Sequence, residues 1–359
     1  EDTGYWRDWL LSEYFIQKGN YNEALKYCES SLKGIAGIYG NYNRFSIEMY
    51  QNMGVVYYYN GDYNKLIEYT GLSLKYANEI FHGKHSLIAA GYNNLGSAYD
   101  SKGDYDRAIV YYEKSLGIRL EVLGAKHRDT ATSYNDLGFA YLNKGDYDRA
   151  IVYFDKSLGI RLKVLGAKHT YTATSYNNLG AAYDGKGDYD RAIGYYEKSL
   201  AINLEVLGAK HPDTTASYNN LGSAYWNKGD YDRAIGYYEK ALAINLEVLG
   251  AKHPDTARSY NNLGSAYSSK GDCDRAIGYY EKSFGIYLEI LGAKHPDTAR
   301  SYNNLGAAYN NKGDYNRAIV YYEKSLAIRL EALGEKHPDT ATSYNNLGSA
   351  YSSKGDYDR

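Results

Sequence analysis

The chain has 359 residues, with 41 Lys and Arg against 43 Asp and Glu, and only four prolines. In this near-neutral balance no basic excess favours nucleic acid or an anionic membrane, and no apolar run is long enough to span a bilayer. Low proline argues against a disordered scaffold, and the 46 tyrosines find their place only once a repeat is seen.

In chain order, KGNYNEAL begins at Lys18 and NGDYNKLI at Asn60. KGDYDRAI then follows at Lys102, Lys144, Lys186 and Lys228, KGDCDRAI at Lys270 and KGDYNRAI at Lys312, and a further copy opens at Lys354. The step is 42 residues throughout. A fixed period of this length is the signature of a repeat array, in which each unit buries its apolar face only by stacking on the next. The frame gives two degenerate units over 1–84, six regular units over 85–336 and an incomplete unit over 337–359.

Each unit reads as two helices. In 211–252, Pro212 and Asp213 suit a first helical turn, where a missing N–H is harmless and a negative charge is welcome. Tyr218, Leu221 and Tyr225 then recur at helical spacing. Gly229 provides a left-handed stop, and Asp230 caps the second helix. Ala234, Ile235, Tyr238, Ala241 and Leu242 form that helix's apolar face, and Gly250 closes it. The tyrosines are expected to pack between helices with their hydroxyls reaching the rim. The 1–84 region is expected to be less stable than 127–336. Ser12 replaces the first-helix glycine there, and Leu66 replaces a small alanine. Gly34, Gly37 and Gly71 add helix-interior glycines, at up to about 1 kcal/mol each relative to Ala.

The spacing Leu95-Gly96-x-x-Tyr99, Gly103, Tyr105, Ala108, Tyr112 resembles the tetratricopeptide repeat consensus. The long unit, with LEVLGAKHPDTA from Leu246 and SYNNLG from Ser259, is similar to the subgroup that includes kinesin light chains. The resemblance implies an all-α solenoid, a right-handed superhelix of antiparallel helix pairs with about eight and a half 42-residue repeats. It implies a non-enzymatic scaffold without a cofactor, which binds a peptide or protein in a concave groove lined by first helices. A sensor segment of a larger signalling protein is another use the resemblance implies. The chain has no coiled-coil heptads and no P-loop. The Lys–Asn carboxylate clamp of chaperone-binding members needs a lysine where this chain has Asn93 and its equivalents, so chaperone C-termini are not expected as ligands.

Comparison among the copies locates the expected groove. Asn93, Asn135, Asn177, Asn219, Asn261, Asn303 and Asn345 share one first-helix position. The copies differ at neighbouring positions on the same helical stripe. Among these, Phe139 and Leu142 make an apolar spot, Trp226 an anchor, and Arg258 and Arg300 a basic end. An asparagine ladder can hold a peptide backbone without choosing its sequence. The same pattern also fits an exposed face that varies freely, with the asparagines tying adjacent helices together.

Other candidates point away from chemistry. His127, His169, His211, His253, His295 and His337 occur one per unit, too far apart to share a metal ion, and read as caps or loop residues. Asp104 and Asp106 sit at a helix start, where anions belong. The two cysteines, Cys28 and Cys273, are nearly six repeats apart, beyond disulfide reach, and there is no Asn-x-Ser/Thr sequon. This fits a reducing, cytoplasmic setting, with an extracellular one left open. The ends suggest a second role. Trp6, Trp9, Leu10 and Phe15 at one end, and Tyr344, Leu347 and Tyr351 at the other, would leave two different apolar faces open. These would pair head to tail into a homo-oligomer or filament, unless further repeats follow Arg359.

Overall fold

A computed structural model describes residues 4–40 and 43–356. The described residues form seventeen helices and no strand. They fall into two compact units, 1–187 and 188–359. The first holds α1 (Gly4–Gln17), α2 (Tyr21–Tyr39), α3 (Arg44–Tyr59), α4 (Tyr63–Phe81), α5 (Ser86–Ser101), α6 (Tyr105–Val122), α7 (Arg128–Asn143), α8 (Tyr147–Val164) and α9 (Thr170–Gly185). The second holds α10 (Tyr189–Val206), α11 (Pro212–Lys228), α12 (Tyr231–Val248), α13 (Pro254–Ser269), α14 (Cys273–Leu291), α15 (Pro296–Asn311), α16 (Tyr315–Leu333) and α17 (Pro338–Lys354). Within each unit, consecutive helices pack on one another. This is the all-α solenoid architecture expected from the period.

The helix boundaries follow from capping chemistry. Asp146 accepts the Arg149 backbone N–H at 3.1 Å, and Asp230 accepts that of Arg233 at 3.2 Å. The histidines cap the first helices: the Nδ1 of His127 and of His211 each accepts a backbone N–H two residues on, at 3.1 Å. Gly229 ends α11 at φ 86°, a left-handed conformation that side chains with a Cβ rarely adopt.

The core explains the Leu-Gly-x-x-Tyr spacing. A Cβ on Gly222 would lie 2.6 Å from the Tyr238 ring, and one on Gly138 would lie 2.5 Å from Phe154. The second-helix ring therefore rests directly on the first-helix backbone. The expectation that tyrosine hydroxyls reach the rim needs correction here. Tyr112 and Tyr280 are buried, and their hydroxyls bond Ser97 and Ser265 inside the pair at 3.1 Å. Where Phe139 replaces that serine, the ring is Phe154, which has no hydroxyl to leave unsatisfied, and the two meet edge to face at 5.2 Å.

A line of ion pairs links successive repeats within each unit. Lys144 meets Asp106 and Lys186 meets Asp148 in the first; Lys228 meets Asp190, Lys270 meets Asp232 and Lys312 meets Asp274 in the second. These pairs are exposed and screened by solvent, so each contributes little. The line stops at Lys102, which meets the amide of Asn64 instead.

The grounds for a weaker 1–84 region change once packing is visible. Ser12 brings a side chain to the glycine position, but the opposing ring is replaced by Cys28, so the volume is exchanged within the pair. Burial pushes the Cys28 thiol up to about 11, the mark of an inert core thiol. Gly34 is required, because its Cβ would lie 2.8 Å from the Tyr5 Cβ. Gly37 and Gly71 have open space beside them, but so do Gly117 and Gly159 in the regular repeats. Helix-interior glycine therefore does not separate the two regions. The apolar start is also partly covered, since the Trp6 ring packs edge to face on Phe45 of α3 at 4.6 Å. At the other end Tyr344 is exposed, while Leu347 and Tyr351 are half-buried.

Candidate partner-binding face

The expected groove residues lie along one face of the first helices, and several are already tied to a neighbouring repeat. Asn135 accepts from the Nδ2 of Asn178 at 2.8 Å. In the second unit Asn219 accepts from Asn262 at 3.5 Å, Asn261 from Asn304 at 2.7 Å and Asn303 from Asn346 at 2.9 Å. The ladder is thus a real feature, and its first use is to join successive first helices. The Asn219 amide also donates to the Thr215 carbonyl. Asn177 is half-buried, and Asn345 is exposed on α17.

The ladder changes where Asp136 stands in the donor position, since its carboxylate can only accept from the Asn93 amide. An ionised carboxylate has no proton to give, and the Oδ1 of Asn93 is buried without a partner. Burial pushes the Asp136 carboxyl up to about 6, although Arg119, Asn93, Asn135 and Arg161 pull in the opposite direction.

The variable residues behave differently from one another. Trp226 is 39% exposed, and its indole N–H donates to Ser269 of the next repeat at 2.9 Å. It lies along the face rather than standing free of it. Phe139 is partly exposed and Leu142 is half-buried. Arg258 and Arg300 are exposed, and each pairs with an aspartate on its own helix, Asp255 at 3.0 Å and Asp297 at 2.9 Å.

A second-helix position that repeat comparison did not single out completes the face. Arg119, Arg161, Asn203, Asn245 and Arg329 occupy it, and each donates from one nitrogen to a backbone carbonyl and a serine hydroxyl of the next first helix. Arg161 reaches the Tyr171 carbonyl at 3.0 Å and Ser175 at 2.8 Å; Asn245 reaches the Asp255 carbonyl at 3.2 Å and Ser259 at 2.9 Å. The sequence signal was the alternation of Arg, Asn and Tyr287 in an otherwise uniform second helix.

Two cavities are built on these clamps, one in each unit. That of the first unit, about 290 Å³, includes Asp129, Ala131, Thr132, Arg161 and Tyr171 in its lining. That of the second, about 300 Å³, includes Asp213, Thr215, Ala216, Asn219, Asn245 and Arg258. Their linings correspond two repeats apart. Among the described residues no three or more His, Cys, Asp or Glu side chains are grouped so as to hold a metal ion, and no helix is long and apolar enough to cross a membrane.

The family model described as tetratricopeptide repeat matches residues 45–121, 87–161, 129–205, 185–247, 213–289, 269–331 and 297–359. The chain belongs to the tetratricopeptide repeat family. Among solved structures it is similar to nearly identical TPR-like repeats of a putative kinesin light chain from Podosopora anserina. The identity is 26%, with 58% of this chain and 98% of that one covered at a TM-score of 0.53. BtubC (BKLC) from P. vanneervenii is also 26% identical, with 65% of this chain and 94% of that one covered at a TM-score of 0.55. These likenesses place the repeats in the kinesin-light-chain-like subgroup. The tetratricopeptide repeat sensor protein of the signal transduction ATPase class from Pyrococcus horikoshii shares the fold. It is 16% identical, with 99% of this chain and 50% of that one covered at a TM-score of 0.65. A comparison with curated proteins gives no match.

Proposed function

We propose that the protein is a binding scaffold that holds an extended peptide, or an extended segment of a protein, along its first-helix face. The observation that carries this is the recurrence of a cavity of about 300 Å³ with equivalent lining in both units. A repeated cavity on a repeated frame suits a repeated ligand backbone, and the carboxamides beside it both donate and accept. Lining residues that differ, among them Thr132 against Ala216 and Arg161 against Asn245, would supply selectivity.

Filling the cavities tests this reading. Thr132 and Ala216 are exposed, so Thr132→Trp and Ala216→Trp should leave the melting temperature unchanged. Peptides selected on the unmodified chain from a random displayed library should bind the filled variants roughly tenfold or more weakly, the scale of a lost central contact. Binding unaffected by both fillings would place the ligand elsewhere and overturn the reading.

A further inference from the structure

A third cavity, about 210 Å³, lies in the first unit and is lined by Val55, Tyr58, Tyr59, Leu66, Asn94 and Ser97. It stands on the same first-helix face, but its chemistry differs from that of the regular repeats in three respects.

First, the asparagine rung is missing here. Asn94 holds the donor position that Asn178 and Asn304 fill elsewhere, but the opposing residue is Gln51, which donates instead to the Leu87 carbonyl at 2.8 Å. Among the described residues Asn94 makes no side-chain hydrogen bond. A carboxamide on a cavity wall therefore retains its full donor and acceptor capacity.

Second, two tyrosine faces lack the cover that others have. Arg107 lies 4.7 Å from the centre of the Tyr99 ring, Arg149 4.5 Å from that of Tyr141 and Arg275 4.4 Å from that of Tyr267. Among the described residues no Lys or Arg lies over Tyr58 or Tyr59, which are 39% and 58% exposed. Their rings meet edge to face at 5.6 Å, and Tyr59 is backed by the parallel ring of Tyr21 at 5.1 Å. This makes a fixed aromatic corner.

Third, the neighbouring carboxylate has no cation. Asp100, one helical turn beyond Ser97, accepts only from the Asn143 amide at 3.2 Å, with no ion pair among the described residues. Burial raises its proton affinity. Asp100 thus stands on α5 beside the Ser97 wall of the cavity.

We propose that this cavity seats a lysine or arginine side chain of the peptide bound along the first-helix face. The aliphatic stem would lie against Val55 and Leu66, and the cationic head would meet the tyrosine faces and the Asp100 carboxylate. Asn94 would hold the peptide backbone. An acidic side chain would be repelled by Asp100. A purely apolar one would leave the Asp100 carboxylate without a partner charge. The inference rests on the peptide-binding reading and names the residue type at one of its positions.

The test is a positional-scanning peptide library, each position fixed in turn as every amino acid, bound to the unmodified chain and to Tyr58→Ala, Tyr59→Ala and Asp100→Asn. Lys or Arg should be selected at one position. Affinity for the selected basic peptide should fall roughly tenfold in Tyr58→Ala and Asp100→Asn, the scale of one cation–aromatic or charge contact. Tyr58 and Tyr59 are exposed and Asp100→Asn is conservative, so melting temperatures should match. Any one variant that does not fold is replaced by the other two. Acidic or apolar selection at every position overturns the inference and leaves the scaffold reading standing, as does basic selection unchanged in all variants. Failure of every library peptide to bind overturns both.

Discussion

The first pair of helices and the regular pairs solve the same packing problem with opposite side chains. In α11 and α12, Gly222 has no side chain, and the Tyr238 ring fills the space. In α1 and α2, Ser12 brings a side chain, and Cys28 takes the place of the ring, both buried. The second pair is intermediate, with Gly54 facing Thr70 and Leu66. Departure from a consensus is therefore not the same as a defect, because a change that looks damaging alone is neutral when its partner moves with it. Asp136 supplies the contrast. It departs from the asparagine row with no compensating change opposite, and Asn93 keeps an unpartnered buried oxygen.

The largest expected effect comes from that uncompensated site. Burial raises the Asp136 carboxyl from its ordinary 3.8 to about 6. Between these values the native chain keeps a proton that the unfolded chain has released. The contribution of this group to stability is therefore fully present below about pH 4 and is lost as pH rises to about 6, by up to roughly 3 kcal/mol at about 1.4 kcal/mol per unit. Asp136→Asn should flatten this slope and supply the missing donor to Asn93, raising the melting temperature at pH 7. Equal pH profiles for the two proteins would show that Arg119 and Arg161 hold the carboxylate charged.

The compensated pair should be transferable. Gly222→Ser alone should cost about 1–3 kcal/mol through overpacking against Tyr238. Tyr238→Cys alone should cost more, through the cavity it leaves. Combined, the two should lose less than the sum, with a coupling of about 0.5–3 kcal/mol in denaturant unfolding. Strict additivity would mean that the Ser12–Cys28 pair depends on further neighbours.

The smallest effect concerns the glycines. Gly71→Ala and Gly117→Ala, one in each region, both face open space and should each stabilise by up to about 1 kcal/mol. Unequal gains in thermal unfolding would restore the view that glycine content separates 1–84 from the rest. What does separate them is the missing Asn rung at Gln51 and the neutral Asn64 opposite Lys102.

The sequence by itself determined the period, the helix boundaries and the fold, because each depends on local chemistry repeated in register. Asp230 caps wherever it precedes a helix, Gly229 permits a left-handed stop, and spacing of three and four makes one apolar face. It also placed the asparagines and their variable neighbours on a shared stripe, since a stripe follows from helical geometry alone. Contacts between elements were decided only by the tertiary structure. That Ser12 calls for Cys28, that Trp226 reaches Ser269, that Asn135 is engaged by Asn178 and that Arg161 clamps the next helix depend on residues 10 to 43 positions apart. A helical period fixes which way a side chain points. What it meets there is set by the packing of one repeat on the next, and that decides whether a polar group is tied within the protein or left available to a partner.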